Sequence, residues 1–310
     1  MSVNINSINS INNNMKKRLH YSKSDTAFNI GLYTIASIIL ILVAYPLWFI
    51  LISSVSDPND VAMGRVWFWP SNFTLLGYQE VFKRSSIWVA YRNTVMYVIA
   101  GTGIGLAVNL SAAYALSRRD LIGRRIITLY FIFTMFFNGG LIPTYLTIQQ
   151  FGLYNTFWVM VLPFSVATYN IIVARTFFST SLPDGLWDAA QIDGCGNLRF
   201  YFTMALPLSK AVIAVLGLWT AVGHWNAYFN ALIYLKDESK YPLQLVLRAI
   251  LIVLQGPTDT GYDEAARLAR KIADMLKYSA IVVSTVPIMC MYPFVQKYFN
   301  QGVMIGALKE

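Results

Sequence analysis

Long hydrophobic runs, separated by short polar stretches, dominate the pattern of this sequence. The hydrocarbon core of a bilayer is about 30 Å thick, so about 20 apolar residues in a helix cross it. None of the runs alternates apolar and polar positions as a strand of a membrane barrel does, and helices are therefore predicted. The charge-free runs lie at 26–56, 94–117, 126–174, 211–235 and 278–296.

The third run, 126–174, is too long for one helix. We place a turn inside it near 149–152, where two glutamines and a glycine interrupt the apolar residues. Two spans then come from this run and one from each of the others. The pattern predicts an all-α membrane protein with about six transmembrane helices.

Composition supports this prediction. Hydrophobic residues make up 56% of the chain and charged residues only 13%. Charged residues are about 25% of a typical soluble domain. An ordinary cytosolic protein is therefore excluded.

Lysine and arginine are concentrated in some connections between the runs, and cytoplasmic loops carry an excess of these residues. The connection between the third and fourth spans carries none. We therefore expect the N-terminus, the loop 118–125, the loop 182–207 and the C-terminus to be cytoplasmic. This topology accounts for the net charge of +9, so nucleic-acid binding is not predicted. The basic residues are Lys16, Lys17, Arg18 and Lys23 before the first span, and Arg118, Arg119, Arg124 and Arg125 after the second.

The chain divides into four parts on these criteria. Residues 1–25 are polar and asparagine-rich, as expected of a disordered cytoplasmic tail. The apolar run that follows is too long for the core of a cleaved signal peptide. Residues 26–89 contain the first helix and an extracytoplasmic loop, residues 90–300 contain the main transmembrane domain, and residues 301–310 form a cytoplasmic tail.

Two longer segments are predicted outside the membrane. The first, 57–88, holds Trp67 and Trp69, whose amphipathic rings favour the membrane interface, so an ordered hairpin is expected there. The second, 236–277, has apolar residues on one face of an amphipathic helix that begins near Asp263. That helix either faces an external partner or packs on the membrane core.

The loop 182–207 carries a spaced group of small residues beside a carboxylate. Alanines allow two backbones to approach closely, and glycine ends a helix without a side chain. Proline suits the first turn of the fifth helix, where its missing N–H is harmless, and the carboxylate can pair with a basic residue of a partner. Taken alone, the group also fits an ordinary amphipathic connector. It consists of Asp188, Ala189, Ala190, Gly194, Leu206 and Pro207.

This loop closely resembles the cytoplasmic coupling loop of binding-protein-dependent ABC importers, through which a membrane subunit docks on its ATPase. Four further stretches are similar to permease subunits of carbohydrate importers of the maltose-transporter type: YRNTVMYV, SAAYALSRRDLIGRR, WNAYFNALIYL and GVMIGALKE. The segments FFNGGLIPTYL and YPLQLVLR resemble the branch for complex oligosaccharides, such as alginate or pectin fragments. Asp188 and Met204 stand where the family has Glu and Ile, and both changes are conservative.

The resemblance implies a type I ABC importer permease fold in the plasma membrane of a bacterium. The implied partners are a second, similar permease subunit in a heterodimer, two ABC ATPase subunits, an extracytoplasmic solute-binding protein, the sugar and membrane lipid. ATP and Mg²⁺ would bind the ATPase, so this chain would hold no cofactor. Sugar would pass from the binding protein to the cytoplasm by alternating access.

No catalytic chemistry is predicted for this chain. It lacks the G-x-x-x-x-G-K-[ST] phosphate loop. With only His20 and His224 as imidazoles and only two cysteines, it also lacks the ligand spacing of a metal site. Two alternatives to a sugar permease stay open. One is the same machine with another solute class, and the other is a secondary transporter, which the lack of obvious repeated halves disfavours.

Polar and aromatic residues inside the spans are candidates to line a sugar path. Sugar recognition uses hydrogen bonds and aromatic faces, and a polar residue in a span faces a cavity or another helix. Packing between helices is the competing interpretation for each candidate. Gly101 and Gly105 form a small-xxx-small pair, which predicts close helix packing. The path candidates are Asn138, Tyr145, Tyr169, Asn170, His224, Trp225, Asn226 and Tyr228.

Overall fold

The first helix is long, apolar and almost uncovered by the rest of the chain. The computed structural model describes residues 23–255, 273–274, 276–291, 293 and 296. Helix α1, Lys23–Ser54, has 32 residues and at 1.5 Å per residue extends about 48 Å, more than the thickness of a hydrocarbon core. Only 6% of its most apolar window is buried. Its apolar surface is therefore left for lipid or for another subunit.

The segment after α1 is ordered around one carboxylate. It contains helices α2, Pro58–Ala62, and α3, Leu76–Lys83. Asp60 in α2 is buried, and its Oδ2 accepts hydrogen bonds from Ser71 Oγ at 2.8 Å and Asn72 Nδ2 at 2.6 Å. These two hydrogen bonds hold the pKa of Asp60 below its ordinary value because they stabilise the carboxylate.

Helix α4, Ser85–Ser117, is the central element of the fold. It packs along α7, Thr168–Ser181, and α11, Lys210–Trp225. An added Cβ at Gly101 of α4 would overlap the imidazole of His224, and one at Gly105 would lie 3.1 Å from the carbonyl oxygen of Ser165. The predicted small-residue packing of this pair is confirmed.

The third hydrophobic run breaks at a place that the sequence pattern did not predict. Helices α5, Arg124–Phe136, and α6, Leu141–Gln150, meet at an angle of 113°. Gly140 directly precedes α6 with a φ of 80°, a conformation that favours glycine and allows the sharp bend. The predicted turn at 149–152 is confirmed, since α6 ends at Gln150. A single straight third span is wrong.

The fourth and fifth predicted spans, from the end of the run 126–174 and from the run 211–235, are also shorter as helices than predicted. A 3₁₀ turn, Phe157–Met160, precedes α7. Helix α11 ends at Trp225, and α12, Tyr228–Tyr234, follows as a separate helix. Asn226 interrupts them by turning its amide back to donate to the carbonyl of Val222 at 3.0 Å. The prediction of one continuous helix over 211–235 is therefore wrong.

The last described elements follow a polar loop. A 3₁₀ turn at Glu238–Lys240 leads into α13, Leu243–Gln255, and the final helix α14 covers Leu276–Met291. Helix α14 begins two residues before the predicted sixth span, 278–296. Of the amphipathic helix predicted from Asp263, residues 263–272 and 275 lie outside the described residues, and so do residues 1–22 and 301–310 of the predicted tails.

Six apolar helical segments are present in the part of the chain that the structure describes. Helices α1 and α4 are each long and apolar enough to cross a membrane, and α5 with α6 forms a bent pair that passes the same test. A second bent pair joins the segment 197–208 to α11 at 82°. The two shorter apolar helices are 243–252 of α13, and α14. The helix count agrees with the predicted all-α protein with about six spans.

Candidate functional site

The small-residue loop 182–207 folds into a helix and a helical turn that lie against the ends of α4 and α7. Helix α8, Asp184–Ile192, begins after Pro183. A short helix, α9, Asn197–Phe200, continues into a π-helical turn at Tyr201–Ala205. Their inner surfaces join the hydrophobic cluster formed by α4, α7 and α11.

Gly194 ends α8 as a glycine C-cap. Its φ is 72°, a left-handed conformation that favours glycine. Gly194 N donates to the carbonyl of Gln191 at 2.9 Å, and Cys195 N donates to that of Ala190, also at 2.9 Å. This pair of bonds is the Schellman motif. The helix end predicted from the spacing is therefore present at the predicted glycine.

The side chains of Asp188, Ala189 and Ala190 in α8 point in different directions. Ala190 is 3% exposed and packs into the core cluster, whereas Asp188 and Ala189 are exposed. Successive residues of a helix are rotated by about 100°, so Ala190 points inward although Asp188 and Ala189 before it point outward. The expectation that both alanines face a partner is therefore wrong. Ala190 brings α8 close to its own chain, and Ala189 leaves the outer face free of bulk beside Asp188.

A tryptophan and an arginine that the sequence pattern did not mark as site residues fix α8 to the fold. Trp187 packs edge-on against Phe200, with ring centres 5.1 Å apart. The guanidinium of Arg118, just after α4, lies 3.8 Å from the centre of the Trp187 ring, within range of a cation–π interaction. Arg118 also pairs with Asp120 at 3.1 Å, and this hydrogen bond lowers the pKa of the Asp120 carboxyl. A tryptophan inside a polar loop is the signal that could have identified this anchor.

Leu206 and Pro207, the last two residues of the motif, lie before the bend between the segment 197–208 and α11. Leu206 packs against the core cluster, and Pro207 is exposed in the short helix α10, Leu206–Leu208. Ser209 leaves the helical conformation, and α11 starts afresh at Lys210. Pro207 therefore lies in the segment before the bend, and its predicted place in the first turn of α11 is wrong. The preceding π-helical turn alters the hydrogen-bond pattern there, as often happens near proline kinks.

Half of the predicted path residues are packed between structural elements. Asn170 donates to Thr220 Oγ1 at 3.4 Å, and the indole of Trp225 donates to the carbonyl of Ser284 at 3.1 Å. His224 is buried against Gly101. Tyr145 stacks on Tyr234 with ring centres 6.1 Å apart. The geometry of these four residues agrees with the competing interpretation of packing.

The other four path candidates are exposed and do not form one group. Asn138 caps the break between α5 and α6 by accepting from Gly140 N at 3.0 Å. Tyr169 lies against Trp219, and Asn226 interrupts α11 and α12. Tyr228 is 40% exposed, and the guanidinium of Arg248, which the sequence analysis did not select, lies 5.4 Å from its ring centre.

The chain matches known proteins over most of its length. Residues 101–305 match the family of binding-protein-dependent transport system inner membrane components. The chain is 33% identical over 282 residues to the polygalacturonan/rhamnogalacturonan transport system permease protein YtcP of Bacillus subtilis, covering 91% of this chain and 98% of that one. It is 35% identical to protein LplC of the same organism, covering 94% and 98%.

A solved structure agrees with these relatives. A chain of a bacterial ABC transporter involved in the import of the acidic polysaccharide alginate is 30% identical to this one. It superposes with a TM-score of 0.82 over 91% of this chain and 100% of its own length. The similarity confirms the predicted type I importer permease fold. The chain therefore belongs to the family of inner membrane components of binding-protein-dependent transport systems.

Proposed function

We propose that this protein is the permease subunit of an ATP-driven importer that carries oligosaccharides from an extracytoplasmic binding protein into the cytoplasm by alternating access. The observation that carries the proposal is α8, which presents Asp188 and Ala189 outward while Trp187 and Ala190 hold it to the helices of the core. Two of the similar proteins are described as transporting polysaccharide material, which supports a sugar cargo.

The proposed coupling step uses α8 as a rigid connector. A basic group of the ATPase pairs with the exposed Asp188 carboxylate, and the small side chain of Ala189 lets the two surfaces approach. Ala190 and Trp187 lie against residues of α4, α7 and α9, so a movement of α8 is transmitted to the core. ATP and Mg²⁺ bind the ATPase, and this chain supplies no catalytic group.

The proposed cargo is an oligosaccharide that carries carboxylate groups. Arg248 lines a cavity of about 640 Å³ next to α13 and lies over the exposed ring of Tyr228. Among the described side chains no carboxylate pairs with Arg248, although Glu238 lines the same cavity. A guanidinium beside an aromatic face suits a uronic acid, whose carboxylate and ring can contact both.

The proposed assembly contains a second permease subunit, two ATPase subunits and a solute-binding protein in the plasma membrane of a bacterium. The uncovered surface of α1 is available to lipid and to the second permease. Both termini and α8 face the cytoplasm in this proposal, and the segments 57–75 and 236–241 face outward.

Single cysteines test the orientation. A cysteine at Ser71 or Asp237 is expected to react with an impermeant thiol reagent added to intact cells, and a cysteine at Asn197 is not. Labelling at Asn197 from outside would overturn the orientation.

Purification of the chain with its partner subunits tests the function. We expect an ATPase to co-purify, and we expect ATP turnover to rise when oligosaccharide and the binding protein are both present. Stimulation by an amino acid and by no glycan would assign a different solute class, and transport without any ATPase would point to a secondary transporter.

A further inference from the structure

A basic pocket lies between α8 and the helices of the core, and Asp188 of α8 is part of its lining. Its volume is about 500 Å³, and it is enclosed by the ends of α4 and α7, the start of α5 and one side of α8. Four arginines line it, namely Arg118, Arg119, Arg124 and Arg175. Two of the described side chains that line it, Asp120 and Asp188, are carboxylates, so the described lining has an excess of positive charge.

Arg118 pairs with Asp120, and Arg119 is also engaged by another group. The contacts described for the other two arginines, Arg124 and Arg175, go to backbone carbonyls. Arg175 Nε donates to the carbonyl of Leu116 at 3.1 Å, and an Arg124 guanidinium nitrogen donates to the carbonyl of Arg118 at 3.4 Å. Both acceptors are neutral. Arg124 and Arg175 are half-buried, and like charges that are close and partly shielded from water repel one another. An anion in the pocket would relieve this repulsion.

The pocket chemistry fits a phosphate group. Guanidinium groups bind phosphate oxygens in bidentate fashion, and arginine is the residue most suited to this geometry. The hydroxyls of Ser117 and Ser179 line the same pocket and can donate as well. Phe178 and Trp187 form apolar parts of the wall, which raises the strength of charge interactions inside.

The position of the pocket along α4 indicates where the phosphate comes from. Tyr97 of α4 donates from its hydroxyl to the carbonyl of Lys240 in the charged loop 236–241, at 2.8 Å. About 20 residues of α4 separate Tyr97 from Ser117 at the pocket, which is about 30 Å of helix. This is the thickness of a hydrocarbon core. If the charged loop lies at one membrane surface, the pocket lies at the headgroups of the opposite leaflet.

We propose that the pocket binds the phosphate of an anionic phospholipid headgroup. Basic pockets between transmembrane helices are known to hold such headgroups. The bound headgroup holds α4, α5 and α7 together directly behind α8, so the anionic lipid content of the membrane sets how firmly the coupling helix is supported. The assignment to the cytoplasmic leaflet rests on the proposed orientation, but headgroup binding itself does not require the proposed transport function.

The test measures lipid retention by the full chain, purified with its partner subunits into nanodiscs of mostly phosphatidylcholine with some phosphatidylglycerol. Native mass spectrometry counts the phosphatidylglycerol that remains bound after release from the disc. We expect Arg175→Gln and Arg124→Gln each to lower this retention by about tenfold, because each removes a charged donor from the phosphate. The charge-preserving Arg175→Lys should lose less.

Arg125→Gln is the matched control. Arg125 is exposed, adjacent to Arg124 and outside the pocket lining, and its loss changes the loop charge by the same amount. We expect this variant to retain phosphatidylglycerol like the wild type. Equal loss in all three glutamine variants would show a general charge effect and would overturn the pocket assignment. A monodisperse profile on size-exclusion chromatography identifies the variants that have folded.

Two further outcomes separate the other sources of an anion. Inorganic phosphate added to the nanodiscs should not displace phosphatidylglycerol, and displacement at millimolar phosphate would assign the pocket to free phosphate. If Arg175→Gln and Arg124→Gln release the ATPase while phosphatidylglycerol retention is unchanged, an acidic group of the ATPase fills the pocket and the lipid proposal is wrong. Loss of lipid with a normal ATPase content supports the lipid proposal.

Discussion

Two loops contact helix α4: the loop 236–241 at its first half and the loop 182–207 at its far end. They differ in how many of their polar groups form hydrogen bonds within the chain. At the first half, Asn93 Nδ2 donates to the carbonyl of Ser239 at 2.7 Å, and Tyr97 donates to that of Lys240. At the far end, among the described residues no hydrogen bond or ion pair engages the exposed carboxylate of Asp188. The same helix thus joins a closed polar network to an open polar surface.

Asn155 is the centre of the closed network. Its Oδ1 accepts from the backbone N–H groups of Lys236 and Asp237 at 3.0 and 3.1 Å, and its amide donates to Asp237 Oδ2 at 2.9 Å. Lys240 Nζ adds bonds of 2.7 Å to the carbonyl of Asn155 and 2.8 Å to Asp237 Oδ2. The bonds from Lys240 and Asn155 lower the pKa of the Asp237 carboxyl. A network with so many internal partners is typical of a structural element.

The open polar surface at Asp188 is instead typical of a binding surface. Buried or half-buried polar groups find partners in native proteins, and surface groups that a rigid scaffold presents without partners are available to another molecule. Changes in the closed network should therefore affect stability and leave coupling intact. Changes on the open surface should affect coupling and leave stability intact.

The largest effect is expected from Asp188→Lys. Losing one member of a charge pair in an interface costs about 2–5 kcal/mol, which weakens ATPase docking by roughly 30-fold to a few thousand-fold. Sugar uptake should collapse while membrane abundance stays normal. The measurements are ATPase co-purification, uptake and abundance.

Asp193→Lys is the control for that variant. Asp193 is exposed at the end of the same helix, where a positive side chain suits the helix dipole. It should dock and transport like the wild type. Normal uptake by Asp188→Lys, or loss of the permease itself, would contradict the distinction between the two regions.

Asn155→Ala is expected to have the next largest effect, on stability. The change removes the side-chain acceptor of two backbone N–H groups at exposed positions, at about 0.5–1.5 kcal/mol for each hydrogen bond. Asn155 also has a φ of 57°, which alanine tolerates less well than asparagine. The midpoint of thermal unfolding in detergent should fall, and uptake per folded molecule should be unchanged.

Asn155→Gly separates the two causes. Glycine keeps the backbone conformation and removes only the side-chain bonds, so its midpoint should lie between those of the wild type and Asn155→Ala. Equal midpoints for all three proteins would show that the network adds nothing to stability.

A smaller effect is expected from Arg248→Gln, on cargo choice. Removing a guanidinium that pairs with a carboxylate should lower uptake of uronic acid oligosaccharides by about tenfold. Uptake of a neutral oligosaccharide of the same length by the same complex should not change. A parallel loss for both sugars would place Arg248 in the structure of α13 and not in recognition.

Hydrophobicity alone could predict the two long helices α1 and α4 and could not predict where the other helices break. The runs of α1 and α4 exceed a membrane thickness and have few interruptions, so their existence followed from the sequence. The bend between α5 and α6 falls inside a charge-free run, so the distribution of charge does not mark it. Helix α5 ends at Phe136, just before Asn138 and the two glycines that form the break.

The candidate site was predictable in its composition and less so in its geometry. The glycine that ends α8 followed from spacing, because the left-handed position needs it. Which alanine faces outward depends on the rotation of α8 about its axis, and that rotation is set by the contact of Trp187 with Phe200 and Arg118. Such contacts come from residues far apart in sequence, and a local pattern does not contain them.

The exposed face of α8 can be tested by chemical labelling. In a protein with Cys195→Ser and Cys290→Ser, a cysteine is placed at either Ala189 or Ala190. We expect the cysteine at Ala189 to react quickly with a maleimide in the permease alone and to be protected when the ATPase is bound, whereas the cysteine at Ala190 reacts slowly in both. Equal reaction at Ala189 with and without the ATPase would contradict the claim that this face couples the permease to its motor.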